Sequence, residues 1–263
     1  MCTPPERVPR RGTLIFMTTP RIGALILGGG QDRLAKRLGF AAKGLVPFQG
    51  VPLGQRVLGA TRSSAHIVTT TYVGPADWEF LPSEANAPGG DRLVDSLAFG
   101  AGAVLANPAQ VDWVLLLTAD LPWLTGEDID AFIAECAPAM EAGAQLCYAV
   151  APERVMAQAY PGEKRTYVTL ADGKVTGGNL ALVHRSFMPK LLPFIDDVFR
   201  NRKNPIALAR IVGLGTLFAL LTKRARISAI EARASTLTGA PLKAVLTDRA
   251  AIANDVDAEE HLQ

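Results

Sequence analysis

The sequence predicts an α/β fold in three layers: a mostly parallel, mixed sheet with helices on both faces. Three observations predict it. The run 22-IGALIL-27 is continuously apolar and ends at glycine, as a strand buried on both faces does. The run 112-DWVLLLT-118 repeats that pattern. Helical periodicities separate such runs along the first 150 residues, and strands alternating with helices imply parallel pairing covered on both sides.

In chain order, 22-IGALIL-27 is the first strand, and Gly28 to Gly30 open a polar loop that carries Arg33 and Lys43. Val51 to Ala60, with apolar residues at 53, 57 and 58, reads as an amphipathic helix. The β-branched run 66-HIVTTTYV-73 reads as the second strand, and proline and glycine make 74–90 a loop. Residues 91–106 space Leu93, Leu97, Ala101 and Val104 as a helix does. After the strand 112–118, residues 126–140 form a helix with acidic residues in its first turn, and 145–150 a further strand. Beyond this point the pattern is less regular. Residues 165–170 and 180–183 suggest added strands joined through a turn at 171–174, and helices are expected at about 186–200 and 205–222. One domain over 21–263 is expected, with a decorated C-terminal half at about 151–250, behind a tail at 1–20. Met17 is an alternative start, because ordered sequence begins just after it.

Composition excludes several classes. The chain has 263 residues, 49% hydrophobic, and a net charge of +2, too balanced for a nucleic-acid surface. The most apolar window, 211-IVGLGTLFALL-221, falls well short of the roughly 20 residues of a membrane span. Cys2, Cys136 and Cys147 form no metal-binding pattern and fit a reducing cytoplasm.

Consecutive glycines after a strand let backbone N–H groups approach a phosphate without a Cβ in the way. Gly28 and Gly30 lack the third glycine of a dinucleotide fingerprint, and no Walker pattern occurs. Arg33 and Lys43 could reach one anion, the first as a fork and the second as a point charge. Asp120 stands where the strongest strand meets a loop, the edge at which open α/β sheets bind ligands, and is placed to hold Mg²⁺ on a nucleotide. Taken alone, 254-NDVDAEEHL-262 reads as a solvated acidic tail.

Together these stretches resemble a known family. The segments 27-LGGGQDRL-34, Ala42-Lys43, 45-LVPFQGVPL-53, 120-DLP-122 and 255-DVDAEEHL-262 stand in the order found in nucleotidyltransferases of the molybdenum-cofactor-guanylyltransferase-like (MobA-like) type. Ala42 replaces the usual proline, and Ala258 and His261 replace the usual threonine and aspartate. The resemblance implies a Rossmann-like, glycosyltransferase-A-like fold and transfer of a nucleotidyl group from a nucleoside triphosphate to a small phosphate-bearing acceptor, such as molybdopterin or a sugar 1-phosphate. It implies that Leu27, Gly28, Gly29 and Gly30 cradle the nucleotide, that Arg33 grips the β/γ-phosphates, and that Lys43 stabilises the α-phosphate. Asp120 and Asp257 would hold Mg²⁺, with Asp257 favoured over Asp255. Gly89 and Gly90 would meet the base, and Gly177, Gly178 and Asn179, at a strand start, the acceptor. Arg165 and the cluster Arg200, Arg202 and Lys203 are further candidates for an acceptor phosphate, against the plainer reading of a solvated face. A glycosyltransferase of the same fold would carry a D-x-D pair where this chain has 118-TADLP-122, which argues against that alternative. A non-catalytic nucleotide binder would have lost Arg33, Lys43, Asp120 or Asp257, and all four are present.

Overall fold

The computed structural model describes residues 19–30, 33–79, 81, 86–90, 92–107, 109–163, 165–201 and 213–257. Most of the expected N-terminal tail, Arg202, Lys203, the first part of the helix expected at 205–222, and Ala258 to His261 lie outside them.

The predicted strands form the centre of one sheet. β1 (Ile22–Leu27) lies between β4 (Ile67–Val73) and β6 (Trp113–Thr118), parallel to both, and β5 (Asn86–Ala87) extends the β4 edge. On the other side β9 (Gly173–His184) pairs antiparallel with β6 and with β7 (Leu146–Pro152), and β10 (Leu242–Leu246) runs parallel to β7. The order β10-β7-β9-β6-β1-β4-β5 is therefore mixed through a single reversed strand. Between them, β2 (Pro47–Phe48) and β3 (Val51–Pro52) form a separate small hairpin, and β8 (Val168–Leu170) pairs with β9 across the turn expected at 171–174.

Side-chain alternation along the strands fills two cores. Ile22, Ala24 and Ile26 of β1 join Leu115 and Leu117 of β6 under two helices, α2 (Leu53–Ser63) and α4 (Gly126–Glu141). Leu25, Val114 and Leu116 face the opposite way, under α3 (Leu93–Ala106) and α6 (Met188–Asn201). Burying both faces requires uninterrupted apolar strands, and that is the pattern of β1 and β6. The helix α4 opens on a capping box: Asp128 N–H donates to Thr125 Oγ1 at 3.2 Å and Thr125 N–H donates to Asp128 Oδ2 at 3.1 Å. Thr125→Ala is expected to cost about 1 kcal/mol, read as a lower urea midpoint with an unchanged slope.

Three expectations are corrected. The segment after the glycines is not a loop throughout: a short helix, α1 (Arg33–Leu38), begins at Arg33 because Leu34 and Ala35 are drawn into a small core with Val46, Phe48 and Leu53. The helix expected from Val51 begins at Leu53, since Val51-Pro52 closes the hairpin over Gln49 and Gly50, both at positive φ as a type I′ turn demands. Gly177, Gly178 and Asn179 lie inside β9 rather than at its start, where the register against β7 shifts between Tyr148 and Val150. Within the helix expected at 205–222, the described part is α7 (Leu214–Leu221). The second half also holds α5 (Glu153–Ala159), α8 (Ile227–Thr238) and β10, none of which periodicity had suggested.

Candidate active site

β1 and β6 are parallel and in register, Leu27 opposite Thr118, so the loops after them leave the sheet side by side. One loop carries Gly28 to Gly30, and the other carries Asp120. Ala119 N–H donates to Leu27 O at 3.1 Å and ties the two together. The glycine loop is held from the other flank as well, with Gly28 N–H on Val73 O at 2.8 Å. A Cβ on Gly28 would strike the hydroxyl of Tyr72, a fully buried ring beneath the loop. Gly29 faces Gly74 and Gly89, so three loops approach backbone to backbone at one point. The Gly90 N–H donates to Ser96 Oγ at 2.9 Å, in the first turn of α3.

Lys43 begins a single 3-10 turn, Lys43–Leu45, and its N–H donates to Gly30 O at 2.9 Å. Gly44 allows this turn to lie against Tyr72 and Ala119. Ala42, at the position of the usual proline, is completely buried. The Lys43 side chain thereby reaches the carboxyl end of β6. Its Nζ is 2.7 Å from Asp120 Oδ2 and 2.7 Å from Asp257 Oδ1. Burial alone would lower the Lys43 ammonium, but these carboxylates more than offset it, and the net shift is upward. Arg33 stands at the start of α1 with its side chain exposed to solvent, and among the described residues it forms no hydrogen bond or ion pair.

Asp257 arrives from far along the chain. Val256 N–H donates to Asp120 O at 3.1 Å, and the Val256 side chain is fully buried among Leu34, Phe48 and Leu53. The flanking Asp255 and Asp257 both reach the site, so Asp120, Asp255 and Asp257 each offer an oxygen within 4.8 Å of the others. Asp255 was passed over in the sequence, although the D-V-D alternation around one apolar residue is the signal that could have found it. Burial and the charges of Asp120 and Asp257 raise the Asp255 carboxyl, against Arg165. Asp257 is pushed up by burial but held lower, on balance, chiefly by Lys43. Asp120 Oδ1 is buried and, among the described residues, has no hydrogen-bond partner. An orphaned carboxylate oxygen beside two more carboxylates fits a hard divalent cation, and the triad could hold one.

A cleft of about 230 Å³ opens at Asp255 and Asp257, lined also by Glu163, Arg165, Thr166, Thr176 and Asn254. The Arg165 guanidinium donates to Asp255 at 2.8 Å and to Asn254 at 3.2 Å, while its buried Nε has no hydrogen-bond partner among the described residues. Thr176 lines the cleft, while its neighbour Gly177 packs on Tyr148 and Gly178 on Ala149. Trp123, which follows the D-x-P, packs between Phe48 and Tyr160 with ring centroids at 5.2 and 5.7 Å. Arg200 lies away from this cleft, paired with Asp196 on α6.

A mixed α/β sheet that brings a glycine cradle, a lysine and three aspartates together at the carboxyl edge defines a nucleotide-dependent transferase of the nucleotide-diphospho-sugar transferase fold. The chain belongs to the MobA-like NTP transferase domain family, whose model matches residues 24–202, and it is a nucleotidyltransferase. A hypothetical transferase from Thermus thermophilus is 35% identical, with a TM-score of 0.81 over 92% of this chain and 100% of its own. Two solved structures at 10% identity share the fold: a 4-diphosphocytidyl-2C-methyl-D-erythritol synthase from Anaerococcus prevotii (TM-score 0.53; 93% and 96% covered) and a CMP:2-keto-3-deoxy-manno-octonic acid synthetase complexed with CTP (TM-score 0.51; 92% and 95% covered). No curated protein matches the chain. No helix among the described residues is long and apolar enough to cross a membrane.

Proposed function

We propose that the protein transfers an NMP group from a nucleoside triphosphate to a small phosphate-bearing acceptor, with Mg²⁺ as the metal and pyrophosphate as the leaving group. The observation that carries this reading is the convergence of Lys43 with Asp120, Asp255 and Asp257 beside the glycine loop. An acceptor phosphate oxygen attacks the α-phosphorus. A new P–O bond forms there, and the bond from the α-phosphorus to the α,β-bridging oxygen breaks, with its electrons leaving on pyrophosphate. Catalysis of this kind is positioning plus neutralisation of developing charge.

The backbone of Leu27 and Gly28 to Gly30 cradles the triphosphate, and Gly89 closes on it from the third loop. Lys43 stays protonated and stabilises charge on the α-phosphate, while Arg33, exposed at the loop's exit, takes the β/γ-phosphates. Asp120, Asp255 and Asp257 hold the cation, which when bound supplies positive charge to the phosphates. We take 21–263 as one catalytic unit whose part from about 151 to 250 faces the acceptor, with Gly177, Gly178 and Asn179 shaping that side. The buried free thiols Cys136 and Cys147 agree with a cytoplasmic setting.

The test is a thermal-shift series with GTP, CTP, ATP and UTP, with and without Mg²⁺. A triphosphate present at a hundred times its Kd should raise Tm by about 5–10 °C, only with the metal, and for one base above the others. A shift with a nucleotide sugar but with no triphosphate would instead favour glycosyl transfer.

A further inference from the structure

Each carboxylate of the triad has a side-chain cation of the protein on it. Lys43 Nζ donates to Asp257 Oδ1 at 2.7 Å and lies 2.7 Å from Asp120 Oδ2. The Arg165 guanidinium is 2.8 Å from Asp255 Oδ1. Lys43 therefore stands on two of the three carboxylates that could hold a divalent cation. An ammonium and a metal compete at such a place. Hard divalent cations need carboxylate oxygens at about 2.0–2.6 Å, and two positive charges that close repel.

The two lysine contacts differ in how readily they exchange. The side chains of Lys43 and Asp120 are 14% and 13% exposed, whereas that of Asp257 is 70% exposed. An ion pair with a solvated carboxylate is worth little, because water replaces the lost partner. Separating two mostly buried partners leaves a charge uncompensated and costs far more. Asp257 is thus the contact that Lys43 can give up, and Asp120 Oδ2 the one it keeps. Asp120 Oδ1, buried and without a hydrogen-bond partner among the described residues, is left for the cation. The flexible stem and three donors of a lysine suit such an exchange, in which a phosphate oxygen takes the place of Asp257.

We propose that Lys43 competes with the divalent cation for Asp257, so that the cation seats weakly by itself and firmly once a triphosphate draws Lys43 onto its α-phosphate. This rests on the nucleotidyl-transfer reading, which makes the triad the seat of the cation and gives Lys43 a phosphate to move to. The coupling is reciprocal: the triphosphate strengthens the cation by the same factor as the cation strengthens the triphosphate. One side chain thereby ties metal loading to nucleotide loading.

The experiment is binding of Mn²⁺ without nucleotide, followed by the electron paramagnetic resonance of the free ion. The proteins are the wild type, Lys43→Met and, as a control for net charge, Lys36→Met on the exposed face of α1. Lys43→Met should bind Mn²⁺ about tenfold more tightly than the wild type, and Lys36→Met within about threefold of it. A lysine that only braces the triad predicts the opposite sign, since its removal would let the carboxylates spread and weaken Mn²⁺. A second measurement needs no variant to fold: acetylation of Lys43 in the wild type, mapped by mass spectrometry. It should rise severalfold when Mn²⁺ saturates the site, as the amine comes off Asp257. Equal or weaker binding by Lys43→Met, an equal gain from Lys36→Met, or Lys43 acetylation unmoved by Mn²⁺ overturns the proposal. Mn²⁺ bound by none of the proteins overturns it too, and takes the metal out of the proposed function. Mn²⁺ binding in the expected order, with no triphosphate raising Tm, is a different result: the competition at Asp257 holds and the nucleotidyl-transfer reading falls.

Discussion

Asp120→Asn is expected to lower pyrophosphate release by about 10²–10³-fold, the usual loss when one preorganised electrostatic group is removed from a site, while leaving the protein folded. The substitution keeps the shape and removes one charge. The backbone at 120 stays where it is, because Ala119 N–H is held by Leu27 O and the Asp120 carbonyl by Val256 N–H. Two electrostatic consequences then oppose each other. Lys43 loses a partner at 2.7 Å but keeps Asp257 at the same distance. The triad loses one of three carboxylates crowded within 4.8 Å. The first destabilises and the second stabilises, so the net change should stay within about 1 kcal/mol. Activity is read by pyrophosphate release and stability by urea unfolding. A loss of activity that tracks a loss of stability would make Asp120 a structural residue, and retained activity would sink its assignment to the site.

The sequence exposed the parts of this site that are local and hid those that depend on distance. The strand ending in three glycines and the strand ending in Asp120 are contiguous signals, and parallel pairing alone sets them side by side. Lys43 was visible as a nearby cation, but its position depends on Gly44 packing against Tyr72, a contact between separate segments. Asp255 and Asp257 are 135 and 137 residues beyond Asp120, and only the D-V-D alternation and the resemblance of 255-DVDAEEHL-262 to the family's closing pattern set them apart from a solvated acidic run. What fixes them is Val256, whose burial among residues 34, 48 and 53 no local periodicity reports. The second half was harder to read for a related reason. The one antiparallel strand, β9, lies between β6 and β7, and its bulge breaks the alternation that would have marked it as a single long strand. α8, with no fully buried residue, carries little amphipathic signal to read.

Gly74→Ala is expected to cost about 2–4 kcal/mol and to abolish triphosphate binding, although Gly74 touches none of the charged residues of the site. Gly74 follows β4, and its φ of +129 is a conformation that a side chain makes costly, by about 1–3 kcal/mol. Space is the second obstacle. A Cβ there would lie 2.5 Å from Gly29 N, 2.6 Å from Gly29 Cα and 2.8 Å from Gly28 C. These are backbone atoms, so no rotamer change can make room. Relief requires the glycine loop to move away from β4, against the Gly28 N–H bond to Val73 O at 2.8 Å. The N–H groups proposed to cradle phosphates lie on that loop, so the displacement removes the binding geometry along with the stability. Gly59→Ala is the matched control. Gly59 lies in the middle of α2 with open space where a Cβ would go, so alanine there should add about 0.5–1 kcal/mol. Urea midpoints and triphosphate-induced Tm shifts for the two variants give both readings. If Gly74→Ala binds triphosphate as the wild type does, the backbone of the glycine loop is not the phosphate cradle, and Lys43 and Arg33 must carry that role without it.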